Sequence, residues 1–189
     1  MSISKRNVLT HGLSGMLGKV IVFRQKGTQT IVAVAPIKRK NATPSGAQVK
    51  VRDRFRLAAD FAKAAIRDPA LKRQYADKAS PDQTAYNIAL ADYFKAPEIL
   101  SLGSDQYTGK VGDIISSSVS DTLEAKSVQV RIEKADGTLI EQGAAMVRQD
   151  KLHWDYTTTQ ANAPVTGSKI TVTATDIPGN IAVKQMLMQ

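Results

Sequence analysis

The chain of 189 residues has no cysteine, only two histidines and a single tryptophan. The absence of cysteine excludes disulfides and thiolate metal sites. No apolar run approaches the length of a membrane span, and residues 1–15 lack the apolar core of a cleaved signal peptide. We therefore expect no membrane span and a location in the cytoplasm or in a phage particle, with export by a route that needs no cleaved signal as the open alternative.

Side chains suited to catalysis or metal binding are also few. The first 96 residues contain no glutamate and six scattered aspartates, so paired carboxylates do not stand out there. His11 has no carboxylate nearby in sequence. His153 lies between Asp150 and Asp155, which would suit a metal ion, although a solvent-exposed strand histidine explains the same pattern. Because no nucleophile or metalloprotease motif accompanies either histidine, we predict a protein that is not an enzyme, with no catalytic residue, no cofactor and no metal.

The net charge of +9 is unevenly distributed along the chain. Residues 1–96 contain 18 Lys/Arg and 6 Asp/Glu, a balance of +12, whereas residues 97–189 contain 8 and 11, a balance of −3. Such asymmetry favours binding to nucleic acid or to another anionic partner. It equally favours head-to-tail attraction between copies of the chain.

Three glycines at three-residue spacing, Gly12, Gly15 and Gly18, precede Lys19. A P-loop needs four residues between its glycines and Ser or Thr after the lysine. Here five residues separate Gly12 from Gly18, and Val20 follows the lysine, so a phosphate-binding loop is excluded. We expect these glycines to allow close backbone approach or turns with positive φ.

Two nearly continuous apolar runs follow, at 20–23 and 30–35, joined by a turn at 25–28. An isolated two-stranded hairpin is marginally stable in water, and apolar runs without alternation need cover on both faces. The segment 12–36, called the ribbon below, is therefore predicted to be covered partly by a helix of its own chain and otherwise by another subunit. The predicted assembly interface consists of Val20, Val22, Phe23, Ile31, Val32 and Val34.

Two basic segments flank the ribbon. The first eleven residues form a predicted extended arm with Lys5 and Arg6 exposed, and Lys38, Arg39 and Lys40 follow the second apolar run. A solvated tail and a solvated loop are the simpler interpretations. Contact with phosphate groups or with an acidic partner is the functional one, and these five residues are the candidate basic contacts.

A long helix is predicted after the second basic segment. Thr43 as N-cap and Pro44 at the first helical position open it, and it continues to about residue 66. Its apolar stripe consists of Val51, Phe55, Ala58, Ala62 and Ala65. The small alanines imply the close approach of a neighbouring helix.

Two shorter helices follow. Asp68 and Pro69 repeat the pattern of a cap and a proline, and predict a helix over 69–78 that buries Tyr75. Ser80 and Gln83 have the spacing of a capping box and predict a third helix that ends near residue 94. The aromatic side chains of that helix could stack on nucleic-acid bases, although core packing is the simpler explanation.

From residue 98 onward, the pattern changes from helical spacing to alternation. Seven strands are predicted, at 98–102, 113–118, 127–134, 139–147, 152–158, 169–175 and 181–188. Seven short strands at this spacing are typical of an immunoglobulin-like β-sandwich. Trp154 sits in the middle of a predicted strand, where an anchor of the core belongs.

The sequence Ala-Thr-Asp-Ile-Pro-Gly-Asn, which ends at Asn180, lies between the last two predicted strands. It resembles the Ala-x-Asp-x-x-Gly-Asn hairpin that closes many bacterial immunoglobulin-like domains, and the resemblance covers roughly residues 97–189. It implies a binding or spacer module without chemistry of its own. Asp176 and Asn180 could offer oxygens to calcium, but hydrogen bonding within the turn is their ordinary role.

The N-terminal pattern begins with Gly-x-Ser-Gly-x-x-Gly-Lys-Val at Gly12 and continues with a hairpin, a proline-containing loop, Gln48 and an arginine-rich helix. This arrangement resembles a family of uncharacterised proteins from Bacteroidota and their phages. The resemblance implies a source and no mechanism.

Together, these patterns predict an α+β chain in three parts: a basic arm and β-hairpin at 1–40, a three-helix unit at 41–96, and a seven-stranded immunoglobulin-like β-sandwich at 97–189. The predicted function is that of a non-enzymatic structural subunit. It would self-assemble with copies of itself, as a homo-oligomer in a filament, a phage virion or tail, or a surface structure, through its hairpin and helices.

Two other functions stay open at this stage. The first is a nucleic-acid-binding protein that uses the basic half, although the basic residues surround the first helix rather than line one face. The second is an adhesin-like binder of a carbohydrate or a protein. Its sandwich would offer the aromatic side chains of Tyr107, Trp154 and Tyr156.

Overall fold

A computed structural model describes residues 2–4, 9–37 and 43–189, and over these residues the chain is α+β, with three helices and three four-stranded antiparallel sheets. It divides into two compact units. Unit 1 consists of Met1–Leu57 and Ala79–Thr84, and unit 2 of Ala58–Lys78 and Ala85–Gln189. No helix in the described part of the chain is both long enough and apolar enough to cross a membrane.

Unit 1 contains a small sheet with the strand order β1-β4-β3-β2. Its strands are β1 (Ser2–Ser4), β2 (Gly15–Leu17), β3 (Ile21–Lys26) and β4 (Gln29–Val34). The predicted hairpin is β3 and β4, with Lys26 opposite Gln29. Gly27 in its tight turn has φ of 56°, and a Cβ there would collide with the carboxylate of Asp82. Both the positive φ and the lack of space for a Cβ therefore require glycine at this position.

The first helix, α1, spans Gly46–Ala65. The predicted start is Pro44, and α1 begins two residues later, after Ser45. Ser45 forms a reciprocal capping box with Gln48. The Gln48 N–H donates to Ser45 Oγ at 3.3 Å, and the Ser45 N–H donates to Gln48 Oε1 at 3.1 Å. The division between the units falls inside α1, after Leu57.

The next two helices belong to unit 2. Helix α2 (Pro69–Asp77) has the predicted cap, with Asp68 Oδ1 accepting from the N–H groups of Ala70 and Leu71. Helix α3 spans Ala85–Asp92 and does not begin at the predicted capping box. There, Ser80 Oγ donates to the Gln83 side chain instead of accepting a backbone N–H.

The Ser80–Gln83 segment, which belongs to unit 1, is a turn rather than the start of a helix. The turn is closed by the Gln83 N–H, which donates to the Ser80 carbonyl oxygen at 2.8 Å.

Eight strands, not seven, form the C-terminal part. They are β5 (Glu98–Gly103), β6 (Ile114–Ser120), β7 (Ser127–Glu133), β8 (Leu139–Ala144), β9 (Met146–Val147), β10 (His153–Thr157), β11 (Lys169–Thr175) and β12 (Ile181–Leu187). The sheets have the orders β5-β6-β10-β9 and β12-β11-β7-β8. The strand predicted at 139–147 is two strands, because the chain leaves one sheet at Ala144 and joins the other at Met146.

Buried side chains from both of these sheets form one hydrophobic cluster, including Ile115 and Trp154 from one sheet and Val130, Ile132 and Ile170 from the other. The two sheets therefore share a core, as in a β-sandwich. A second cluster in unit 2 holds the end of α1 against α2 and α3. Its buried members are Ala62, Ala65, Tyr75 and Ala89.

Candidate functional site

The ribbon presents apolar side chains on both faces of its sheet. Residues directly opposite each other in antiparallel strands share a face. One face carries Leu17, Ile21, Phe23, Val32 and Val34, and the other carries Met16, Val22, Ile31 and Ala33. The register of the strands thus places apolar side chains on both faces of the ribbon, as the sequence predicts.

Neither face of the ribbon is fully covered. Among the six residues of the predicted assembly interface, Val20 and Val34 are exposed, and Val22, Phe23, Ile31 and Val32 are half-buried. Among residues 9–37, 43–57 and 79–84 of unit 1, Thr30 is the one buried residue, and none of the apolar side chains is buried. These residues of unit 1 therefore form no hydrophobic core.

Hydrogen bonds rather than apolar packing organise one end of the ribbon. Gln25 Nε2 donates to the Leu13 carbonyl oxygen at 2.7 Å and to Thr30 Oγ1 at 2.9 Å, and the Gly12 N–H donates to the same Thr30 oxygen at 3.2 Å. Gly12, like Gly15 and Gly18, has positive φ, which is the role expected for this glycine triplet. The glycine segment is thereby fixed against the end of the hairpin.

The first part of α1 is exposed as well. Residues 46–57 are all exposed, including Val51 and Phe55, which the apolar stripe predicts to be packed. The same stripe is buried further along, at Ala58, Ala62 and Ala65. Unit 1 therefore adds an uncovered helical stripe to an uncovered sheet.

Positive charge is concentrated in this same unit. Unit 1 contains 12 Lys/Arg and 2 Asp, a balance of +10, whereas unit 2 contains 14 Lys/Arg and 15 Asp/Glu, a balance of −1. Residues 1–52 include ten Lys/Arg and no acidic residue. The candidate basic contacts Lys5, Arg6, Lys38, Arg39 and Lys40 lie outside the residues that the structure describes.

The two aspartates considered with His153 have separate partners. Asp150 Oδ2 lies 2.7 Å from His153 Nδ1, and backbone N–H groups of His153 and Leu152 lower the pKa of Asp150 to about 2. Asp155 instead forms an ion pair with Arg148 at 2.6 Å. Within the described ranges, no group of three or more His, Cys, Asp or Glu side chains is arranged to hold a metal ion.

The three aromatic residues considered for ligand binding are core residues. Tyr107, Trp154 and Tyr156 are all buried. The Tyr156 hydroxyl donates to Glu141 Oε2 at 2.9 Å, and burial followed by this hydrogen bond raises the pKa of Tyr156 to about 12. Trp154 is thus the core residue that its strand position predicts, and the three side chains, which pack in the core cluster of the sandwich, do not form the exposed aromatic surface that the adhesin-like alternative needs.

A cluster of three carboxyl groups in unit 2 was not foreseen from the sequence. Asp92 ends α3, Asp121 follows β6, and Asp176 follows β11. The Tyr75 hydroxyl donates to Asp92 Oδ2 at 2.7 Å, while Asp92 Oδ1 is buried and has no hydrogen-bond partner. The three residues are far apart in the chain, so no local motif could have revealed the cluster.

Burial and neighbouring charges raise the pKa values of two of these carboxyl groups, Asp92 and Asp121. Burial raises the pKa of Asp92, although the hydrogen bond from Tyr75 opposes the change. Burial also raises the pKa of Asp121 to about 6, and the charges of Asp92 and Asp176 add to this shift. The one cation that acts on both Asp92 and Asp121 among the described interactions is Lys95. Burial and the neighbouring carboxyl groups therefore disfavour the charged forms of Asp92 and Asp121.

Asn180 links this cluster to the end of α3. Its side-chain N–H groups donate to Asp176 Oδ2 at 2.7 Å and to the carbonyl oxygens of Tyr93 and Lys95, each at 3.3 Å. Asp176 Oδ1 accepts from the N–H groups of Gly179 and Asn180. The Asp-x-x-Gly-Asn segment thus makes the turn hydrogen bonds expected of it and also caps carbonyl groups at a helix end.

No protein-family model matches the chain, and no curated protein matches it. Among solved structures, the chain is similar to the crystal structure of CopC from Methylosinus trichosporium OB3b, with 12% sequence identity and a TM-score of 0.36. The similarity covers 47% of this chain and 87% of that one. At this level, the likeness supports no argument about fold or function.

Proposed function

We propose that the protein is a non-enzymatic structural subunit that self-assembles with copies of itself through the ribbon and the exposed part of α1. The observation that supports this proposal is that residues 9–37, 43–57 and 79–84 of unit 1 include no buried apolar side chain. A sheet and a helical stripe gain little stability until their apolar faces leave water. A second copy supplies the missing layer.

The arrangement of exposed apolar groups supports an ordered interface. Val34 is 76% exposed on one face of the ribbon, and Met16 is 59% exposed on the other. The strands at the sides of the sheet, β1 and β2, have only three residues each, whereas β3 and β4 have six. Such edges pair readily with another chain.

Unit 2 has a different role in this proposal. Its β-sandwich has its own core, and we propose that it is an immunoglobulin-like module displayed by the assembly. A filament, a phage virion or tail, and a surface structure are all consistent with such a subunit.

Charged substitutions at exposed valines test the proposal with little risk to folding. We expect the unmodified protein to form large species as its concentration rises, and Val34→Asp to remain monomeric. Met16→Asp reports on the opposite face of the ribbon. Val183→Asp is the matched control, because Val183 is 57% exposed on β12 of unit 2 and should leave assembly unchanged.

Light scattering and negative-stain electron microscopy provide the measurements. A strict monomer at high concentration and moderate salt would exclude self-assembly. Assembly that survives both Val34→Asp and Met16→Asp would show that the ribbon is not the interface. Circular dichroism of each variant should match that of the unmodified protein.

The balance of +10 in unit 1 favours a second candidate, binding to nucleic acid. Phosphate contacts made by Lys and Arg give an affinity that falls steeply as salt rises. We expect replacement of Lys38, Arg39 and Lys40 by Gln to reduce that slope, and replacement of Lys72 and Arg73 on α2 to leave it unchanged. A failure of duplex and single strands to bind at low salt would exclude this function.

A further inference from the structure

We propose that a nucleic acid takes part in assembly and that its phosphate groups lie along one face of the ribbon, an inference that rests on the proposed self-assembly. Assembly and nucleic-acid binding are then one linked process rather than two alternatives. The face concerned, called the Met16 face below, carries Met16, Val22 and Ile31.

The two faces of the ribbon differ in charge. Because side chains alternate along a strand and paired residues share a face, Arg24 and Lys26 lie on the Met16 face with Val22. Both of these cations are exposed. The opposite face, which carries Val34, contains no charged residue from β2, β3 or β4. The Val34 face is therefore suited to another apolar surface, whereas the Met16 face combines apolar groups with two cations.

Cations also border the apolar stripe of α1. Successive residues of a helix are about 100° apart, so the residues directly before and after Val51 and Phe55 lie on the two sides of that stripe. All of these bordering residues are basic and exposed, and they are Lys50, Arg52, Arg54 and Arg56. A second copy that covers the stripe therefore brings its own cations close to these.

Unit 1 has too few carboxylates to neutralise its cations. Its two acidic residues are Asp53 and Asp82, against 12 Lys/Arg. Asp53 pairs with Arg56 at 3.3 Å, but both side chains are more than half exposed, and such surface pairs are weak. Two copies that meet through unit 1 bring together a charge of +10 from each. Repulsion opposes that contact unless an anionic partner lies beside it.

A polymer of phosphate groups is the anionic partner that fits these cations best. Arginine pairs with phosphate through two parallel N–H groups, and four of the seven Lys/Arg residues in the described part of unit 1 are arginine. A nucleic-acid strand carries a negative charge on each nucleotide. Unit 2, with a balance of −1, does not supply enough negative charge to replace it.

An anionic membrane fits the proposed assembly less well than a nucleic acid does. A bilayer that attracts the cations of α1 also takes up the apolar stripe between them, and it then competes with the second copy for Val51 and Phe55. A nucleic-acid strand binds the bordering cations and leaves the stripe to the second copy. We therefore assign the Met16 face to a nucleic acid.

This coupling predicts that salt acts in opposite directions with and without the nucleic acid. Without it, salt screens the repulsion between copies, since the Debye length falls from about 30 Å at 0.01 M to about 10 Å at 0.1 M. Raising the salt concentration should then lower the protein concentration needed for assembly. With the nucleic acid bound, salt weakens the phosphate contacts, so the same change should raise that protein concentration.

Light scattering of the full chain at low and high salt, with and without a single-stranded oligothymidine, measures the protein concentration needed for assembly. At low salt, the oligothymidine at about ten times its Kd for the assembled protein should lower this concentration about tenfold. A duplex of the same length shows which form of nucleic acid is preferred. Polyglutamate and anionic lipid vesicles represent an acidic protein and a membrane.

The double variant Arg24→Gln, Lys26→Gln tests the Met16 face. Without nucleic acid, it should assemble at a lower concentration than the unmodified protein at low salt, because it carries less positive charge. With oligothymidine it should assemble less readily, and the dependence of assembly on the logarithm of salt concentration should fall by about one for each contact removed. The matched control is Lys72→Gln, Arg73→Gln, which removes the same charges from exposed positions on α2 of unit 2 and should leave the effect of oligothymidine unchanged.

The nucleic acid and self-assembly can fail separately. Assembly at high salt without nucleic acid, combined with no effect of oligothymidine or duplex at low salt, would overturn the nucleic-acid proposal and leave self-assembly standing. An equal effect of oligothymidine on the Arg24 and Lys26 double variant would also overturn it, as would promotion by polyglutamate or vesicles as strong as that by nucleic acid. Absence of assembly under every condition would reject both proposals.

Discussion

Unit 1 and unit 2 are both rich in β-structure, yet they differ in what their strands bury. In β7 and β11, buried residues such as Val128, Val130, Val172 and Ala174 alternate with more exposed ones. Such strands select one face for the core and leave the other in contact with water. In β3 and β4, apolar side chains point to both faces, and none of them is buried.

A β-sheet needs a second layer to cover its apolar face. Alternation of apolar and polar residues along the strands indicates whether the chain itself supplies that layer. Unit 2 has two sheets around one core. Unit 1 has a single sheet in its described residues. Unit 1 also carries the charge of +10, and self-repulsion of like charges opposes compaction. The two units therefore differ in net charge as well as in what their strands bury.

The largest expected effect comes from the same substitution made once in each unit. Ile132 is 0% exposed in the sandwich core, and Ile132→Ala should lower the free energy of unfolding by about 2–5 kcal/mol, because it removes buried methyl groups and leaves a cavity. Ile31→Ala, in the half-buried ribbon, should change it by less than about 1 kcal/mol. Urea denaturation followed by far-UV circular dichroism measures both units, and tryptophan fluorescence identifies the part that belongs to unit 2 through Trp154.

The matched pair also separates folding from assembly. Ile31→Ala should raise the protein concentration needed for assembly, whereas the fraction of Ile132→Ala that is folded should still assemble. Equal losses of stability for the two variants would show that unit 1 has a core after all.

Alternation and apolar spacing predicted most of the strands in the sandwich and the buried alanines of α1. The break at Ala145 could not be predicted, because the residues on both sides of it continue an acceptable strand pattern, and only the pairing partners change. The cluster of Asp92, Asp121 and Asp176 was hidden for a related reason. It depends on the fold bringing together residues from three separate elements.

Two similar motifs show the limit of local signals more directly. Ser45 and Gln48 form a capping box, whereas Ser80 and Gln83, at the same spacing, form a turn. From the sequence, the box is expected at the second site and the first helix start at Pro44. In both motifs the serine N–H donates to the glutamine Oε1. The motifs differ at the serine hydroxyl, which accepts from the Gln48 N–H at the first site and donates to the Gln83 side chain at the second.

An intermediate effect is expected from pH, and it concerns only unit 2. The pKa of Asp121 is about 6 in the folded chain, against an ordinary value near 3.8. Between about pH 4 and pH 6, the folded state binds more protons than the unfolded state, so the free energy of unfolding falls as pH rises through this window and the loss is complete above it. The full shift corresponds to about 3 kcal/mol, and partial contact with solvent should reduce the effect to about 1 kcal/mol.

Asp121→Asn isolates this contribution, because the amide cannot ionise. The variant should show a smaller difference in urea stability between pH 4.5 and pH 7.5 than the unmodified protein, and Asp105→Asn should behave like the unmodified protein. The pKa of Asp150 is lowered to about 2, so this residue contributes stability that is lost only as pH falls through roughly 4 and below. It therefore leaves the window between pH 4.5 and pH 7.5 nearly unaffected. A pH dependence that Asp121→Asn leaves intact would assign the effect to another group.

The smallest expected effect tests whether the exposed start of α1 is stable by itself. Ser45→Ala removes the N-cap oxygen and should destabilise the first turns of α1 by about 1 kcal/mol, while the urea unfolding of unit 2 changes by less than about 0.5 kcal/mol. Because residues 46–57 are exposed, the loss should appear as faster hydrogen exchange of their amides at a protein concentration below that needed for assembly. Ser80→Ala is the control at the same motif spacing, and it should leave those amides unchanged. If assembly covers the Val51 and Phe55 stripe, the difference in exchange rate between Ser45→Ala and the unmodified protein should shrink as assembly proceeds. A difference in exchange rate that persists unchanged in the assembled state would place α1 outside the interface.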